Sequence, residues 1–371
     1  MVMMERDLEG QKTLPEEIVR DVLGSSDQCL DYARTVLEKG RTVRDEARKK
    51  LADEGKIGNV KGVRPFTDGK NVEGVDGSYH SVRTAALDLS LCAAVGAGPS
   101  IRHKLKVFSS PHSQLLTRAC QGIMTLLEIH LIAGSKSPLV IYDGSFISAL
   151  VRVNSALAAE STAPGDSLWT YVRPIYDELS GQQPSFYAAL SSKKTVAIPK
   201  LSTSSNFVEQ NFPALKAYFS DRTFFSIVLD PSEFVVNQRV PEPRYNLGED
   251  STYRPPDADQ VIRFYRDLGF MEVFFRPHAW SPAYKVEVPG DFPTDKIAEL
   301  LATIAELLPD PGMLEPYPQF LADQLSRQIG VAGYALRDAV QGALYAEGAD
   351  ARAVHAALSG YRTSLFTDLE G

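Results

Sequence analysis

Two stretches decide how the chain is read: "VEGVDGS" at residues 72–78 and "PLVIYDGS" at 138–145. Each carries an apolar, strand-like run into Asp-Gly-Ser. Asp-Gly is a common turn dipeptide, and one copy says little. "FTDGK" around Asp68 shows this, since no sustained apolar run precedes it and it reads as a loop. In the two DGS copies the aspartates, Asp76 and Asp143, are expected where a buried strand ends and the backbone turns, a place from which two carboxylates reach one cleft.

Outward from these, "NVEGVDGS", "VRTAALDLSLCAAVGA" and "KLKVFSS" read as successive strands, with Gly96 and Gly98 ending the second. "SQLLTRACQGIMTLLEIHLIAG" has Leu115, Leu116, Ala119, Ile123, Leu126, Leu127 and Leu131 at helical spacing and Gly134 at its end. "PLVIY" is a short buried strand, and "SFISALVRVNSALAAE" a helix directly after the second DGS. Strands, a crossover helix, a strand and a helix make an α/β domain with a mixed sheet.

Further on, "TVAIPK" and "TFFSIVL" read as strands, and "MEVFFRP" and "YKVEVP" as a strand pair. "TDKIAELLATIAELL" reads as a helix capped by Thr294, and "YPQFLADQLSRQIGVAGYALRDAVQGAL" as closing helices. The Pro-rich stretch 240–259 is expected to be a long loop or lid. Before the domain, residues 14–57 form a charged helical arm with Leu30, Ala33 and Leu37 at helical spacing. Its basic cluster, Arg48, Lys49 and Lys50, is either a solvated face or a phosphate contact. The expected division is an arm over 1–57 and a main domain over 70–371.

Composition sets outer limits. The chain has 371 residues, and its 44% hydrophobic content supports a substantial core. A net charge of −8 argues against a surface that clings everywhere to nucleic acid, while leaving room for a local basic groove beside an acidic metal site. No apolar run reaches membrane-span length and "MVMMERDLEGQK" lacks the order of a secretory signal, so a cytoplasmic protein with no membrane partner is expected. Cys29, Cys92 and Cys120 contain no CxxC pair and read as buried thiols. The sequence contains no GxxxxGK[ST], GxSxG or HExxH segment, so neither ATP hydrolysis nor those hydrolase chemistries are expected.

Two carboxylates at neighbouring strand ends repel, and a cation or a proton must sit between them. Mn²⁺ or Mg²⁺ suits such hard oxygen ligands and can activate water against a phosphodiester. Glu128 is the only formally charged residue from Ala119 to Ser135, and it either joins the site or faces solvent beside Thr125 and His130. Asp323 in "EPYPQFLADQLSRQIG", within a helix that Tyr317 just precedes, completes the order Asp, Glu, Asp, Asp on strand, helix, strand, helix. Read from residues alone, the set serves a nuclease, a phosphohydrolase of small substrates, or, in degenerate form, an adaptor without activity.

"GVDGS", the acidic helix ahead of "VIYDGS", the strand exit "VAIPKLS" and the late "YPQFLADQ" together resemble the NurA nucleases, from about Val72 to Ile329. The resemblance implies a ribonuclease-H-like core and a homodimer. It also implies Mn²⁺-preferring exonuclease and single-strand endonuclease activity on DNA, in partnership with a HerA-type hexameric ATPase translocase in DNA end processing or defence. Carried over by position, it implies Asp76, Glu128 and Asp143 as metal ligands and Tyr317 as the tyrosine preceding the last ligand. The family often presents Ala-His in that helix, whereas this chain has Ala322-Asp323, which makes Asp323 the candidate for that place. Lys200 resembles the family lysine that contacts the scissile phosphate, against the alternative of an exposed strand-end lysine. Arg276 is a further phosphate candidate; His278 and Trp280 read as loop residues, and the arm and the 240–259 loop as candidate contact surfaces.

Overall fold

The computed structural model describes residues 16–359 apart from 164, 182–188, 190, 201, 240–258, 260–261, 263–268 and 311. The Pro-rich loop expected at 240–259 thus lies almost wholly outside the described residues. The remainder is built on one mixed sheet whose nine strands run β1 (Ile57–Asn59), β7 (Glu233–Arg239), β8 (Phe270–Arg276), β9 (Tyr284–Pro289), β6 (Thr195–Ala197), β5 (Leu139–Tyr142), β2 (Val72–Arg83), β3 (Asp88–Ala97) and β4 (Ile101–Ser110) from edge to edge. Strands β2, β3 and β4 form an antiparallel meander, and β5 and β6 then add parallel to β2. This is the ribonuclease-H-like arrangement expected of the sequence, extended by the antiparallel β9, β8, β7 and β1.

Helices cover both faces. On one face α3 (Leu116–Ala133), α4 (Phe146–Thr162) and α5 (Leu168–Gly181) enclose a core around Ile123, Leu127, Tyr142, Phe146 and Tyr176. Helix α3 is apolar nearly all round, as a helix sandwiched between a sheet and other helices must be. On the other face α8 (Ile297–Glu306) packs Leu300, Leu301 and Ile304 on Ile141, Val196 and Val286. A third cluster joins α2 (Ser26–Asp53) to α6 (Asn206–Asn211) and α7 (Asp221–Val228), where Ala47 and Leu51 meet Phe207 and Phe225. Helix α1 (Glu16–Gly24) precedes α2, and α9 (Tyr317–Arg327), α10 (Ile329–Ala346) and α11 (Ala351–Leu358) close the chain.

The first DGS does not end its strand. Strand β2 continues to Arg83, paired residue for residue with β3 from Gly74 opposite Ala97 to Arg83 opposite Asp88. The uninterrupted ladder overrides the turn preference of Asp-Gly. Gly77 serves space instead, since a Cβ there would stand 2.7 Å from both Glu128 Oε1 and Met124 Cγ of α3. The second DGS behaves as expected: β5 stops at Tyr142, and Gly144 turns with φ 150°.

Other readings need correction. The run "VRTAALDLSLCAAVGA" holds the end of β2, a turn closed by the Thr84 amide on the Leu87 carbonyl at 3.0 Å, and β3. "TFFSIVL" falls in helix α7, because Ser220 caps the Thr223 amide and burial of Phe224, Phe225 and Val228 follows one helical face. An apolar run this short fits either period, and the cap decided it. Thr294 caps nothing with its side chain; a single 3-10 turn, Thr294–Lys296, leads into α8. The arm's basic cluster is partly spent on docking: Arg48 binds Glu233 at 2.7 Å and Asp230 at 3.0 Å, beside the Arg44–Asp230 pair at 2.7 Å.

Helix α9 lies directly on β2, and Gly74 makes that contact possible. A Cβ at Gly74 would sit 2.3 Å from the Pro318 carbonyl carbon and 2.4 Å from the Gln319 nitrogen. Backbone atoms cannot swing aside as a side chain would, so Gly74→Ala must lift α9 from the sheet. Its expected cost is about 1–3 kcal/mol in urea unfolding, and an unchanged midpoint would show that α9 does not need this approach.

Candidate metal centre

The site forms where β2, β5 and α9 meet. Val75 pairs with Tyr142, the last residue of β5, and the Asp143 amide donates to the Val75 carbonyl at 2.9 Å. The register therefore places Asp143 beside Asp76, although Asp76 lies within its strand and only Asp143 lies at a strand end. Helix α9 delivers Asp323 from above, tethered by Ser78 Oγ, which donates to the Ser326 carbonyl, and by Ser326 Oγ, which donates to Asp76 Oδ2 at 3.3 Å. One oxygen from each of Asp76, Asp143 and Asp323 lies within 4.8 Å of the other two. All three side chains are largely buried.

Burial and mutual repulsion set the electrostatics. Desolvation, then the charges of Asp143 and Glu128, push the Asp76 carboxyl well above the usual range. Asp143 is raised by desolvation too, against the pull of Lys200. The compensating charge is Lys200 at the exit of β6. Its ammonium is 2.6 Å from Asp143 Oδ2 and 3.3 Å from Glu315 Oε2, and it donates to Asp323 Oδ1. Although burial opposes its charge, these carboxylates hold Lys200 above the ordinary lysine value. Arg327 takes the other oxygen of Asp323 at 3.0 Å.

Glu128 stands apart from this group. Side chains alternate along a strand, so Gly77 opens on the face opposite Asp76, and Glu128 of α3 fills that opening. It is fully buried and accepts from Tyr142 Oη at 3.2 Å. Desolvation, opposed by Arg152 and reinforced by Asp143, raises its carboxyl to about 7. The solvent-facing alternative for Glu128 is excluded, but the structure does not bring it into the three-carboxylate group. Tyr317 is also outside that group: it is 52% exposed and lines a cavity of about 460 Å³ with Val72, Leu307 and Leu321.

Three participants were not singled out in the sequence. Glu315, two residues before Tyr317, shares the Lys200 ammonium. Arg152 is the only formally charged residue between Phe146 and Ala159 and lies mostly buried under the field of Tyr142, Glu128, Asp76 and Asp143, the same isolation in an apolar helix that marked Glu128. Gln319 donates to the Ile198 carbonyl at 3.0 Å, pinning the exit of β6 beneath α9. Arg276, by contrast, is no phosphate ligand in this arrangement: it bonds the Leu229 carbonyl at 2.7 Å and the Ala279 carbonyl at 2.5 Å. His278 bonds the Leu308 carbonyl at 2.9 Å, as a structural residue does, and Trp280 is exposed.

A mixed sheet that gathers carboxylates from two adjacent parallel strands and a late helix belongs to the ribonuclease-H-like α/β class. Within that class the chain belongs to the NurA domain family, whose model matches residues 70–328. Its fold is similar to the crystal structure of the NurA nuclease from Sulfolobus solfataricus, at 14% identity and TM-score 0.55, covering 89% of this chain and 98% of that one. A crystal structure of NurA with manganese matches at 11% identity and TM-score 0.55, covering 87% and 98%. No curated protein matches in sequence. Among the described residues no helix is long and apolar enough to cross a membrane.

The donor set fits a hard divalent cation: three carboxylates converge, and burial leaves their charges in need of a counter-charge. Lys200 holds two of the same carboxylates, so it competes with an ion for them. Lys200→Ala is expected to tighten Mn²⁺ binding on the order of tenfold by calorimetry; weaker binding would show that Lys200 helps to assemble the ligands. A pH effect follows from the raised carboxyls. A carboxyl held above its unfolded value binds its proton more tightly when folded, so stability falls as pH rises from about 4.5 through about 7, by roughly 3 kcal/mol for Glu128. The metal-free protein should melt at lower temperature at pH 8 than at pH 5, with Mn²⁺ raising the midpoint more at pH 8. A flat profile would contradict the raised carboxyls.

Proposed function

We propose that the chain is a Mn²⁺- or Mg²⁺-dependent deoxyribonuclease that hydrolyses phosphodiesters, with exonuclease and single-strand endonuclease activity. The observation that carries the reading is the convergence of Asp76, Asp143 and Asp323 within 4.8 Å, in a chain of the NurA domain family. The fold it shares with NurA crystallised with manganese supports the choice of ion. Bound there, the ion would polarise the scissile phosphate and lower the pKa of an attacking water.

The chain's own residues do the rest. Asp76, Asp143 and Asp323 would hold the ion, and Ser326 steadies Asp76 from α9. With those carboxylates engaged by an ion, Lys200 would be able to turn to a phosphate oxygen and stabilise the negative charge that develops there. Glu315 gives its ammonium an anchor near the site in both states. The family resemblance implies Glu128 as a fourth ligand, but here it stands on the other face of the sheet, where Arg152 favours its charged form and its charge acts on Asp76. Tyr317, exposed at the head of α9, contacts the substrate strand.

The expected assembly is a homodimer working with a HerA-type hexameric translocase in DNA end processing or defence. The chain has no phosphate-binding loop of its own for ATP, so any motor would be another protein. The exposed Leu30, Tyr32 and Leu37 on α2 support the arm as a contact surface.

End-labelled linear and single-stranded DNA, incubated with Mn²⁺, Mg²⁺ or EDTA, tests the activity. Cleavage should require the ion and should fall more than about a hundredfold in Asp76→Asn and in Asp323→Ala, beyond what loss of a merely supporting residue gives. Cleavage surviving Asp76→Asn would place the site elsewhere. Glu128→Gln that still binds Mn²⁺ would limit Glu128 to setting the local charge.

A further inference from the structure

A second cluster of buried charge lies behind the site, and none of the chemistry above uses it. Lys285 and Glu287 of β9 and Glu272 of β8 share one face of the sheet, with side chains 6%, 0% and 0% exposed. Lys285 Nζ is 2.7 Å from Glu272 Oε1 and 2.9 Å from Glu287 Oε1. Asn237 of β7 donates to Glu272 Oε2 at 3.3 Å. Buried carboxylates such as these are costly unless donors meet them.

The donors come from the second DGS. Ser145 Oγ lies 2.9 Å from both oxygens of Glu287, and the Phe146 amide donates to Glu287 Oε2 at 2.9 Å. Ser145 is the N-cap residue of α4, yet it makes no capping bond within its own helix. The cap is instead a carboxylate supplied by β9, two strands from β5 across the short β6, and the first amide and positive dipole end of a 17-residue helix face it. The segment so held begins two residues after Asp143, across Gly144 with φ 150°. Without an external tether, a glycine in that conformation would let the turn and the aspartate move together.

We infer that Glu287, acting through Ser145, is a positioning residue that fixes where Asp143 stands, with Lys285 holding Glu287 in place. The inference rests on the proposed metal reading, because position matters only if Asp143 is a ligand. Supporting groups of this kind typically change metal affinity ten- to a hundredfold. Glu287→Gln leaves Lys285 its contact with Glu272, so this variant does not strand the cation.

The test is Mn²⁺ binding to the full-length protein, measured by electron paramagnetic resonance, with thermal midpoints of the metal-free proteins alongside. Ser145→Ala and Glu287→Gln should weaken Mn²⁺ binding about tenfold or more, and Ser145→Thr, which keeps the hydroxyl, should restore it. Asn237→Ala, which loosens the same network away from the turn, should lower the midpoint and leave Mn²⁺ binding unchanged. If wild type binds Mn²⁺ and both Ser145→Ala and Glu287→Gln bind it equally well, the positioning role is overturned and the metal site stands. If wild type binds no Mn²⁺, the metal reading falls and takes this one with it.

Discussion

Like charge in a dry corner is the constraint on which the rest of this structure depends. Asp76, Asp143 and Asp323 lie too close together, with too little water, to be ionised without a positive neighbour. The Lys200 ammonium is that neighbour in this structure. Much of the fold around it reads as a way to force these groups together: parallel pairing of β2 with β5, a glycine that admits α9 onto the sheet, and serines that tie one element to the next.

Those ties cross long distances in sequence. Ser78 reaches the Ser326 carbonyl, and Ser145 reaches Glu287. Lys200 is held from beneath as well, because Arg222 of α7 donates to its backbone carbonyl. Arg222 belongs to a helix that also receives the arm, through Arg44 Nε on the Ile227 carbonyl at 3.2 Å. The site is therefore made by tertiary contact at nearly every residue, and local conformation supplies only the bend at Gly144.

That division explains what could be read from sequence. The β5 turn was legible because Asp-Gly after an apolar run is a local signal, and Gly144 adopts the conformation that signal implies. Asp76 was found by the same signal for a mistaken reason: the first Asp-Gly is a strand interior, and its glycine makes room for Glu128. Glu128 announced itself as a lone charge in an apolar helix, which diagnoses burial but not which face of the sheet the charge occupies. Asp323 was placed by order along the chain. Glu315 and Glu287 carry no local mark, since Glu315 matters through Lys200 at the exit of β6 and Glu287 through Ser145 at the head of α4. Helix α7 was misread because seven apolar and hydroxyl residues do not fix a period, and its Ser220 cap was the deciding cue.

The charges gathered at the site permit one more count. Asp76, Asp143, Asp323, Glu315 and Glu128, when all ionised, face Lys200, Arg327 and Arg152. Five anions against three cations leave a deficit of two, the charge of a single divalent ion. With every one of these groups ionised, one such ion would offset the deficit, and a second would overshoot it by as much as the first corrected. A phosphodiester entering such a site would carry one negative charge, so a nucleic-acid substrate would itself bring the anionic charge that further cation binding requires.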